Sequence, residues 1–312
     1  MKIHASAPGN VILFGEHVSR HGKPSIVFAV NSRLHVYLED RDDEKIILNS
    51  SDLDIWDEEW PSDALEYVSA SIKRFFAATG RKEGFTITTE SKIVAGIGTS
   101  AATVVATLGA LDSFFETKLT KKEILNLGFK VIMDVQGYGS GIDIAAATYG
   151  GIVRFVKGEE PTIISKEKLP ILVGNTGINV KSGSIVEAVE SKKEKFPKLY
   201  NPIIEDIGNI TDHAIDIIKK KDLQNLGQLM NLNHGLLYAE GVSSLILERL
   251  VWAARDAGAY GAKLSGAGVG DNMIALVSED KAYEIEKAIN NAGGKVLNLE
   301  IDPEGLLVEE EI

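Results

Sequence analysis

The segment at residues 95–102 reads AGIGTSAA and combines glycines with two hydroxyl side chains, between a predicted strand and a predicted apolar helix. Glycines let the backbone turn its amides toward a ligand, and a helix N-terminus adds partial positive charge. The hydroxyls of Thr99 and Ser100 suit phosphate oxygens or a magnesium ion. No Gly-Lys-Ser/Thr follows at the spacing of a Walker loop. The segment indicates a phosphate-binding loop of another kind, and a tight turn built from small residues explains it equally well.

A lone carboxylate, Asp143, follows glycines at positions 137, 139 and 141 and precedes a run of small residues. A carboxylate in such a place can act as a general base or as a metal ligand. An aspartate that caps the following helix produces the same pattern. Both interpretations of Asp143 stay open on these residues alone.

A third glycine-rich segment, KLSGAGVGD, covers residues 263–271 and comes before a predicted strand. Its glycines permit close approach of the backbone to an anion, with Lys263 and Ser265 on the flank. A glycine-rich β-turn is the alternative explanation.

The charge of the chain limits its partners. The 312 residues include 33 Lys and Arg against 45 Asp and Glu, for a net charge of −12. This balance argues against nucleic acid or an anionic membrane as partner, although a small anionic ligand fits a locally positive pocket. The absence of cysteine excludes disulfides, thiolate metal sites and thiol nucleophiles. No apolar run reaches the roughly 18 residues of a membrane span, and the N-terminus lacks a signal-peptide stretch, so we expect a cytoplasmic protein.

Predicted strands and helices are interleaved without the regular alternation of a doubly wound sheet, which favours the α+β class. Short β-like runs lie at 11–14, 25–30, 34–38, 46–48, 85–89, 171–173, 273–277 and 295–300. Helical spacing covers 62–78, with Ser62 as N-cap, and 96–116, 184–195, 201–220, 222–238, 244–257 and 280–292. The charged segment Val156–Pro161, which contains Gly158, is the best candidate for a domain boundary.

The opening segment APGNVILFGEH at residues 7–17, the central glycine loop and the C-terminal glycine loop occur in this order. Together they resemble the three signature segments of the GHMP small-molecule kinases, and the resemblance extends over nearly the whole chain. Further segments are similar to archaeal mevalonate kinases: Gly15–His17, Val135–Gly137 ahead of Asp143, Asn231–Leu237 and Gly258–Lys263.

The resemblance implies a GHMP kinase fold, with a ribosomal-S5-like N-terminal domain over residues 1–157 and a ferredoxin-like C-terminal domain over 158–312. It also implies ATP as phosphate donor, Mg²⁺ as cofactor, a small-molecule acceptor and, by resemblance only, a homodimer. Asp143 would be the catalytic residue, taking the proton of the acceptor hydroxyl or orienting it. The ATP phosphates would contact Gly96, Gly98, Thr99, Ser100 and Ala101, and Ser100 would also bind the metal. The acceptor would contact Asn10, Glu16, His17, Ser265 and Gly266.

The sequence departs from the mevalonate kinase pattern in four places. Asn10 stands where those kinases have a lysine that stabilises the ionised acceptor. Ile132 stands where they have a magnesium-binding glutamate, eleven residues before Asp143. Asp134, two residues further on, shares a face with position 132 only if the segment is extended. The central loop lacks the usual proline and is about two residues short, and the last motif ends Gly270-Asp271, which is nearer the phosphomevalonate kinases.

Loss of one lysine and one glutamate balances in charge and indicates a site rebuilt around another acceptor, for which an already phosphorylated molecule is the natural candidate. Six basic residues are candidates for binding the phosphate of such an acceptor: Arg20, His21, Lys23, Lys92, Lys181 and Arg255. Each of them can also be a solvated surface charge. We therefore expect an ATP-dependent phosphotransferase of the mevalonate (isoprenoid precursor) pathway, acting on the 5-hydroxyl of mevalonate 3-phosphate or of mevalonate. A non-catalytic GHMP-fold binding protein, suggested by Asn10 and Ile132, and a kinase of another small alcohol are the alternatives.

Overall fold

The computed structural model describes residues 1–94 and 96–311. Its strands are β1 (Lys2–Phe14), β2 (Ser25–Asp40), β3 (Ile46–Ser50), β4 (Ile55–Glu59), β5 (Phe85–Ser91), β6 (Ile152–Phe155), β7 (Thr162–Ser165), β8 (Ile171–Asn175), β9 (Gly261–Ser265), β10 (Asn272–Leu276), β11 (Lys295–Leu297) and β12 (Leu307–Glu311). Its helices are α1 (Glu66–Thr79), α2 (Thr99–Phe114), α3 (Lys121–Gln136), α4 (Ile142–Tyr149), α5 (Ser182–Lys195), α6 (Pro197–Lys220), α7 (Leu223–Glu240), α8 (Leu245–Asp256) and α9 (Ala282–Asn291). A short 3₁₀ turn covers Val18–His21.

Two compact units make up the chain, and neither is continuous in sequence. The first unit comprises Met1–Asn10, Ala29–Gly151 and Asp302–Ile312, and the second comprises Val11–Phe28 and Ile152–Ile301. A single boundary at 157/158 does not describe these units. The reason is that strands β1 and β2 each contribute residues to both, and the C-terminal strand β12 pairs with β1 of the first unit.

The first unit is built on strands in the order β12-β1-β2-β5-β3-β4. Strand β3 pairs with β5 in parallel, whereas β12–β1, β2–β5 and β3–β4 are antiparallel. Helices α1 to α4 pack against one another. Helix α2 is apolar on all sides and has buried residues on every face, which is typical of a helix inside a core. Helix α2 begins directly after the central glycine loop, with Gly98 as its N-cap.

The second unit contains an antiparallel sheet of order β11-β8-β10-β9. Helices α5 to α8 connect β8 to β9, and α9 connects β10 to β11, so the strands follow the β-α-β-β-α-β scheme of the ferredoxin-like arrangement. Buried apolar side chains of the sheet and of α7, α8 and α9 form its core, among them Leu264, Met273 and Ile285. In the same unit β6 pairs with the first residues of β2 and with β7.

The predicted α+β class is confirmed, since helices and mainly antiparallel strands are mixed along the chain. Within the described residues, no helix is both long and apolar enough to cross a membrane.

Candidate active site

The central glycine loop leads directly into the N-terminus of α2. Gly96 and Gly98 have positive φ angles of 88° and 78°, and Gly98 is the N-cap residue, which no side chain caps. Thr99, Ser100 and Ala101 form the first helical turn, whose backbone N–H groups have no acceptor inside an α-helix. Such a turn is suited to an anion, because the N–H groups and the helix dipole favour negative charge. The five predicted nucleotide contacts thus lie on one continuous turn.

Asn10 packs against this loop and is almost completely buried, with 4% of its surface exposed. Its backbone N–H donates to the carbonyl of Ile97 at 2.9 Å. A Cβ atom placed on Gly98 would lie 2.1 Å from Asn10 Nδ2, so the close approach requires glycine there. The same Nδ2 lies 3.5 Å from the backbone carbonyl of Asp143, at the long limit of a hydrogen bond. Asn10 therefore brings the glycine loop and the start of α4 together within the first unit.

Asp143 is the second residue of α4, and the N-cap of that helix is Gly141, with no side-chain cap. The alternative interpretation of Asp143 as a helix cap is therefore wrong. The residue is open to solvent, while the protein around it removes enough hydration to raise the pKa of its carboxyl to about 6. The two observations are compatible, because access from one side is enough for a ligand while protein surrounds the other sides. Asp143 can thus accept a proton near neutral pH.

The position of the family's magnesium-binding glutamate is apolar in structure as well as in sequence. Ile132 is buried, and its Cγ2 atom would lie 2.9 Å from a Cβ placed on Gly139. Asp134 does not replace the glutamate, because its segment is helical and its carboxylate forms a two-pronged ion pair with Arg74 of α1. That pair lowers the pKa of Asp134. No cluster of three or more His, Asp or Glu side chains suited to a metal ion occurs in the described part of the chain.

In the second unit the segment Gly15–His17 forms a turn at the end of β1. Gly15 and His17 both have positive φ angles, 85° and 65°. His17 Nε2 is 3.0 Å from the carbonyl oxygen of Ala267, and burial lowers the pKa of the His17 imidazole to about 4. His17 is therefore neutral at pH 7, with Nε2–H donating to that carbonyl and Nδ1 left as an acceptor.

The C-terminal glycine loop follows β9 in the same unit. Ser265 Oγ donates to the carbonyl of Ile12 at 2.7 Å. Gly266 has a φ of 89°, and no described heavy atom lies within 4 Å of a Cβ placed on it, so there is open space beside its backbone. Gly268 instead approaches the carbonyl of Val242 closely, where a Cβ would lie 2.2 Å away. Of the loop glycines, Gly266 is thus the one suited to a ligand.

Lys263 does not flank an anion site as expected from the sequence. Its side chain is fully buried and forms an ion pair with the fully buried carboxylate of Glu16. Asn233 Nδ2 donates to the other oxygen of Glu16 at 3.2 Å. Glu240, also buried, lies close enough for the charge of Glu16 to help raise the pKa of Glu240 to about 8, after desolvation as the main cause. Sequence reasoning missed this cluster, and its one signal is a lysine between two apolar residues, in a segment that the structure shows to be strand β9.

Most of the six basic residues proposed for a phosphorylated acceptor already have partners. The ones engaged are His21 with Glu190, Lys23 with Glu205, Lys92 with Glu90, and Arg255 with the carbonyl of Ala262. Among the described residues, Arg20 and Lys181 have no carboxylate within ion-pair distance. These two remain as candidates for binding an anion.

Comparisons with known proteins identify the family of the chain. The family model described as "GHMP kinases N terminal domain" matches residues 66–151, and "GHMP kinases C terminal" matches residues 214–295. A mevalonate kinase of Pyrococcus furiosus is 38% identical to the chain over the full length of both proteins. The chain belongs to the GHMP kinase family.

Solved structures of the same fold match nearly the whole chain. The crystal structure of the Methanococcus jannaschii mevalonate kinase matches with a TM-score of 0.81 and 28% identity, covering 96% of this chain and 98% of that one. The Streptococcus pneumoniae phosphomevalonate kinase matches with a TM-score of 0.84 at 16% identity, covering 96% and 99%, which supports the fold alone. The expected GHMP kinase fold and the enzyme class, a phosphotransferase with an alcohol group as acceptor, are thereby confirmed. GHMP kinases use ATP as phosphate donor.

Proposed function

We propose that this GHMP kinase acts in the cytoplasm and transfers the γ-phosphoryl group of ATP to the 5-hydroxyl of mevalonate or of mevalonate 3-phosphate. The observation that carries the proposal is Asp143, a solvent-open carboxylate with a raised pKa, joined through Asn10 to the glycine loop before α2. Full-length similarity to enzymes named mevalonate kinase supports the choice of acceptor.

In the proposed reaction Asp143 takes the proton from the acceptor hydroxyl. The hydroxyl oxygen then forms a bond to the γ-phosphorus, the bond from that phosphorus to the bridging oxygen breaks, and ADP leaves with the bond electrons. Such transfers depend on positioning and charge neutralisation more than on covalent chemistry by the protein. The N–H groups of the loop and of the first turn of α2 would supply that neutralisation.

The residues at the start of α2 fit a magnesium ion bound together with the nucleotide. Mg²⁺ usually binds one or two protein oxygens and completes its shell with phosphates and water. The Ser100 hydroxyl is such an oxygen and lies only partly buried beside the anion site. When bound, the ion would neutralise phosphate charge, and Ser100 would hold it.

For the acceptor we propose contacts with Asn10, His17, Ser265 and Gly266. The Asn10 amide adjoins Asp143, and the neutral His17 imidazole has Nδ1 available as acceptor. Beside Gly266 there is room for a ligand to approach the backbone. These four residues offer hydrogen bonds without adding a net charge.

The phosphorylated acceptor is favoured by two observations. Asn10 is neutral where a lysine would otherwise neutralise the acceptor oxygen, and Arg20 and Lys181 are cationic side chains without a carboxylate partner in the described residues. A second phosphate needs cations that are not already paired. Arg20 lies three residues after His17, which places it in the same turn region.

The proposal is tested by incubating the enzyme with ATP and, separately, mevalonate, mevalonate 3-phosphate, galactose and homoserine, and following release of ADP. We expect turnover with one of the first two. Turnover of galactose or homoserine alone would refute the assigned acceptor. ATP binding in calorimetry without phosphoryl transfer to any of the four would favour the non-catalytic alternative.

The variant Asn10→Lys distinguishes the two acceptors further. Asn10 is buried against Gly98, so a longer charged side chain must displace the loop, and we expect kcat/KM for the natural acceptor to fall at least about tenfold. Asn10→Gln, which is longer by one methylene and neutral, is the matched control for size. A gain of more than about tenfold on mevalonate, with wild type inert toward mevalonate 3-phosphate, would contradict the rebuilt site and favour unmodified mevalonate.

A further inference from the structure

The turn Gly15–His17 is held in an unfavourable backbone conformation. Gly15 tolerates a φ of 85°, and a Cβ there would lie 2.5 Å from the carbonyl oxygen of Pro24. His17 has a φ of 65°, in the left-handed region that side-chain-bearing residues seldom adopt. Such strain persists only where neighbouring contacts impose it. At one end of the turn, Ser25 Oγ donates a hydrogen bond to the Gly15 carbonyl at 2.7 Å. At the other end, His17 Nε2 donates to the carbonyl of Ala267.

The middle residue of the turn, Glu16, points away from solvent. Its side chain and that of Lys263 each have 0% of their surface exposed, and the two form an ion pair. Lys263 also donates to the carbonyl of Leu264 at 2.7 Å, and Asn233 Nδ2 binds the second oxygen of Glu16. Both carboxylate oxygens of Glu16 are therefore occupied by protein donors from β9 and α7. Because its side chain is also fully buried, the carboxylate is not open to an acceptor.

Stability alone does not account for such a pair. Exchanging a buried ion pair for apolar residues of similar size is often neutral or stabilising, whereas removing one partner leaves an uncompensated charge. The position of the pair is more informative. Lys263 lies two residues before Ser265 and four before Ala267, whose carbonyl holds His17, while Glu16 is the residue next to His17. The ion pair and the His17 hydrogen bond therefore join the same turn to the same loop.

We propose that Glu16 and Lys263 are positioning residues, which hold His17 in its strained conformation against the C-terminal glycine loop, and that Glu16 does not itself contact the acceptor. Asn233 completes this group from α7. The inference rests on the proposed function insofar as His17 contacts the acceptor.

Three variants test it: Glu16→Gln, Lys263→Met and the double variant. Each single variant leaves one buried charge unpaired. We expect kcat/KM for the acceptor to fall about 100-fold, which is the effect of displacing a group that contacts the substrate by about 1 Å. The KM for ATP should change less than about threefold. The double variant carries neither charge, so we expect its kcat/KM to return to within about tenfold of wild type. Its unfolding midpoint in urea should recover as well.

Glu240→Gln is the matched control, because Glu240 is a buried carboxyl of the same region and its raised pKa keeps it protonated at pH 7. We expect wild-type kcat/KM from it. A double variant that remains about 100-fold below wild type, whatever its stability, would overturn the proposal and make Glu16 a direct contact of the acceptor.

A second measurement separates this inference from the choice of acceptor. Titration of the His17 ring by NMR, assigned with His17→Asn, should show the low pKa in wild type and in the double variant. In Glu16→Gln the pKa should rise toward 6.5 because the displaced ring regains hydration, whereas the unpaired Lys263 charge acting on a ring that stays in place would lower it. This result is expected even if neither mevalonate compound is a substrate. An unchanged or lowered His17 pKa in Glu16→Gln would overturn the positioning role.

Discussion

Ionisation of Asp143 should produce the acid limb of the enzyme's pH profile. The protein around this carboxyl raises its pKa to about 6, and only the ionised form accepts a proton. With that pKa, about 99% of the enzyme is competent near pH 8 and roughly a tenth near pH 5, so kcat/KM should fall about tenfold between them. An aspartate at its ordinary pKa of 3.8 would lose almost nothing over that range.

The assay is kcat/KM for the acceptor from about pH 5 to about pH 9, with ADP measured directly by chromatography, so that no coupling enzyme contributes its own pH dependence. The γ-phosphate of ATP also ionises in this range, so the variants carry the argument. Asp143→Asn should lower the rate on the order of 100- to 10,000-fold and remove the acid limb, with ATP affinity within a few-fold of wild type. Asp134→Asn, a carboxyl of α3 paired with Arg74, should keep the wild-type profile.

Two results would refute the reasoning. One is a midpoint near pH 4, which would mean that the surrounding protein does not perturb the carboxyl. The other is an Asp143→Asn variant that keeps more than about a tenth of the wild-type rate, or the same inflection in its residual activity. Either would assign the titration to another group and leave Asp143 as an orienting residue at most.

Three further variants address the loop and the buried cluster. Ser100→Ala should weaken ATP–magnesium binding and slow the reaction, because it removes one oxygen from a charged site. The two effects together should lower kcat/KM for ATP about 10- to 100-fold. A change in the KM of the acceptor alone would contradict the nucleotide assignment. Gly98→Ala should weaken ATP binding at least about tenfold in calorimetry, because the left-handed φ costs about 1–2 kcal/mol and the new Cβ meets Asn10. An unchanged affinity for ATP would contradict the assignment of this loop to the nucleotide. The folded-state pKa of Glu240, about 8, exceeds its ordinary 4.5, so wild type should lose stability as pH rises from about 4.5 to about 8, on the order of a few kcal/mol. The charged groups near Glu240 are Glu16, Glu190 and Lys192. Glu240→Gln should reduce this loss of stability with pH and raise Tm at pH 8. If the variant loses as much stability as wild type over the same pH range, Glu240 is not the source of the loss.

Local patterns predicted many elements of the fold, and long-range pairing decided the others. Periodicity places a helix at 62–78, and α1 occurs at Glu66–Thr79; it begins later because the Ser62 hydroxyl accepts the N–H of Ala64 in a preceding turn. Strand β12 has mostly exposed, acidic residues and is extended because it pairs with β1 at the opposite end of the chain. No pattern within a short window carries that information.

In the candidate site, too, some residues could be predicted from local sequence and others could not. Residues that act through the backbone, such as Gly98, are evident in sequence, because few positions need a left-handed φ and close approach at once. The partner of a buried charge is not evident, since Glu16 and Lys263 are 247 residues apart and meet only in the folded unit. Asp134 depends on the element that carries it: it would share a face with position 132 only in an extended segment, and the segment is helix α3, where its carboxylate pairs with Arg74.

Asn10 links the departures from the family pattern to the chemistry of Asp143. Desolvation raises the pKa of Asp143, and no cation of the described residues acts against it. A lysine at position 10, as in the family's opening motif, would favour the ionised carboxylate and draw its pKa back toward 3.8. Such an enzyme would have a weaker base assisted by a cation that stabilises the acceptor oxygen, whereas this chain has a stronger base beside a neutral amide. The two arrangements differ in where they place positive charge, and the second is the one that we propose for an acceptor carrying its own negative group. Asn10→Lys should therefore shift the acid limb of the profile to lower pH even as it lowers the rate, and this combination separates a change of charge from simple damage to the loop.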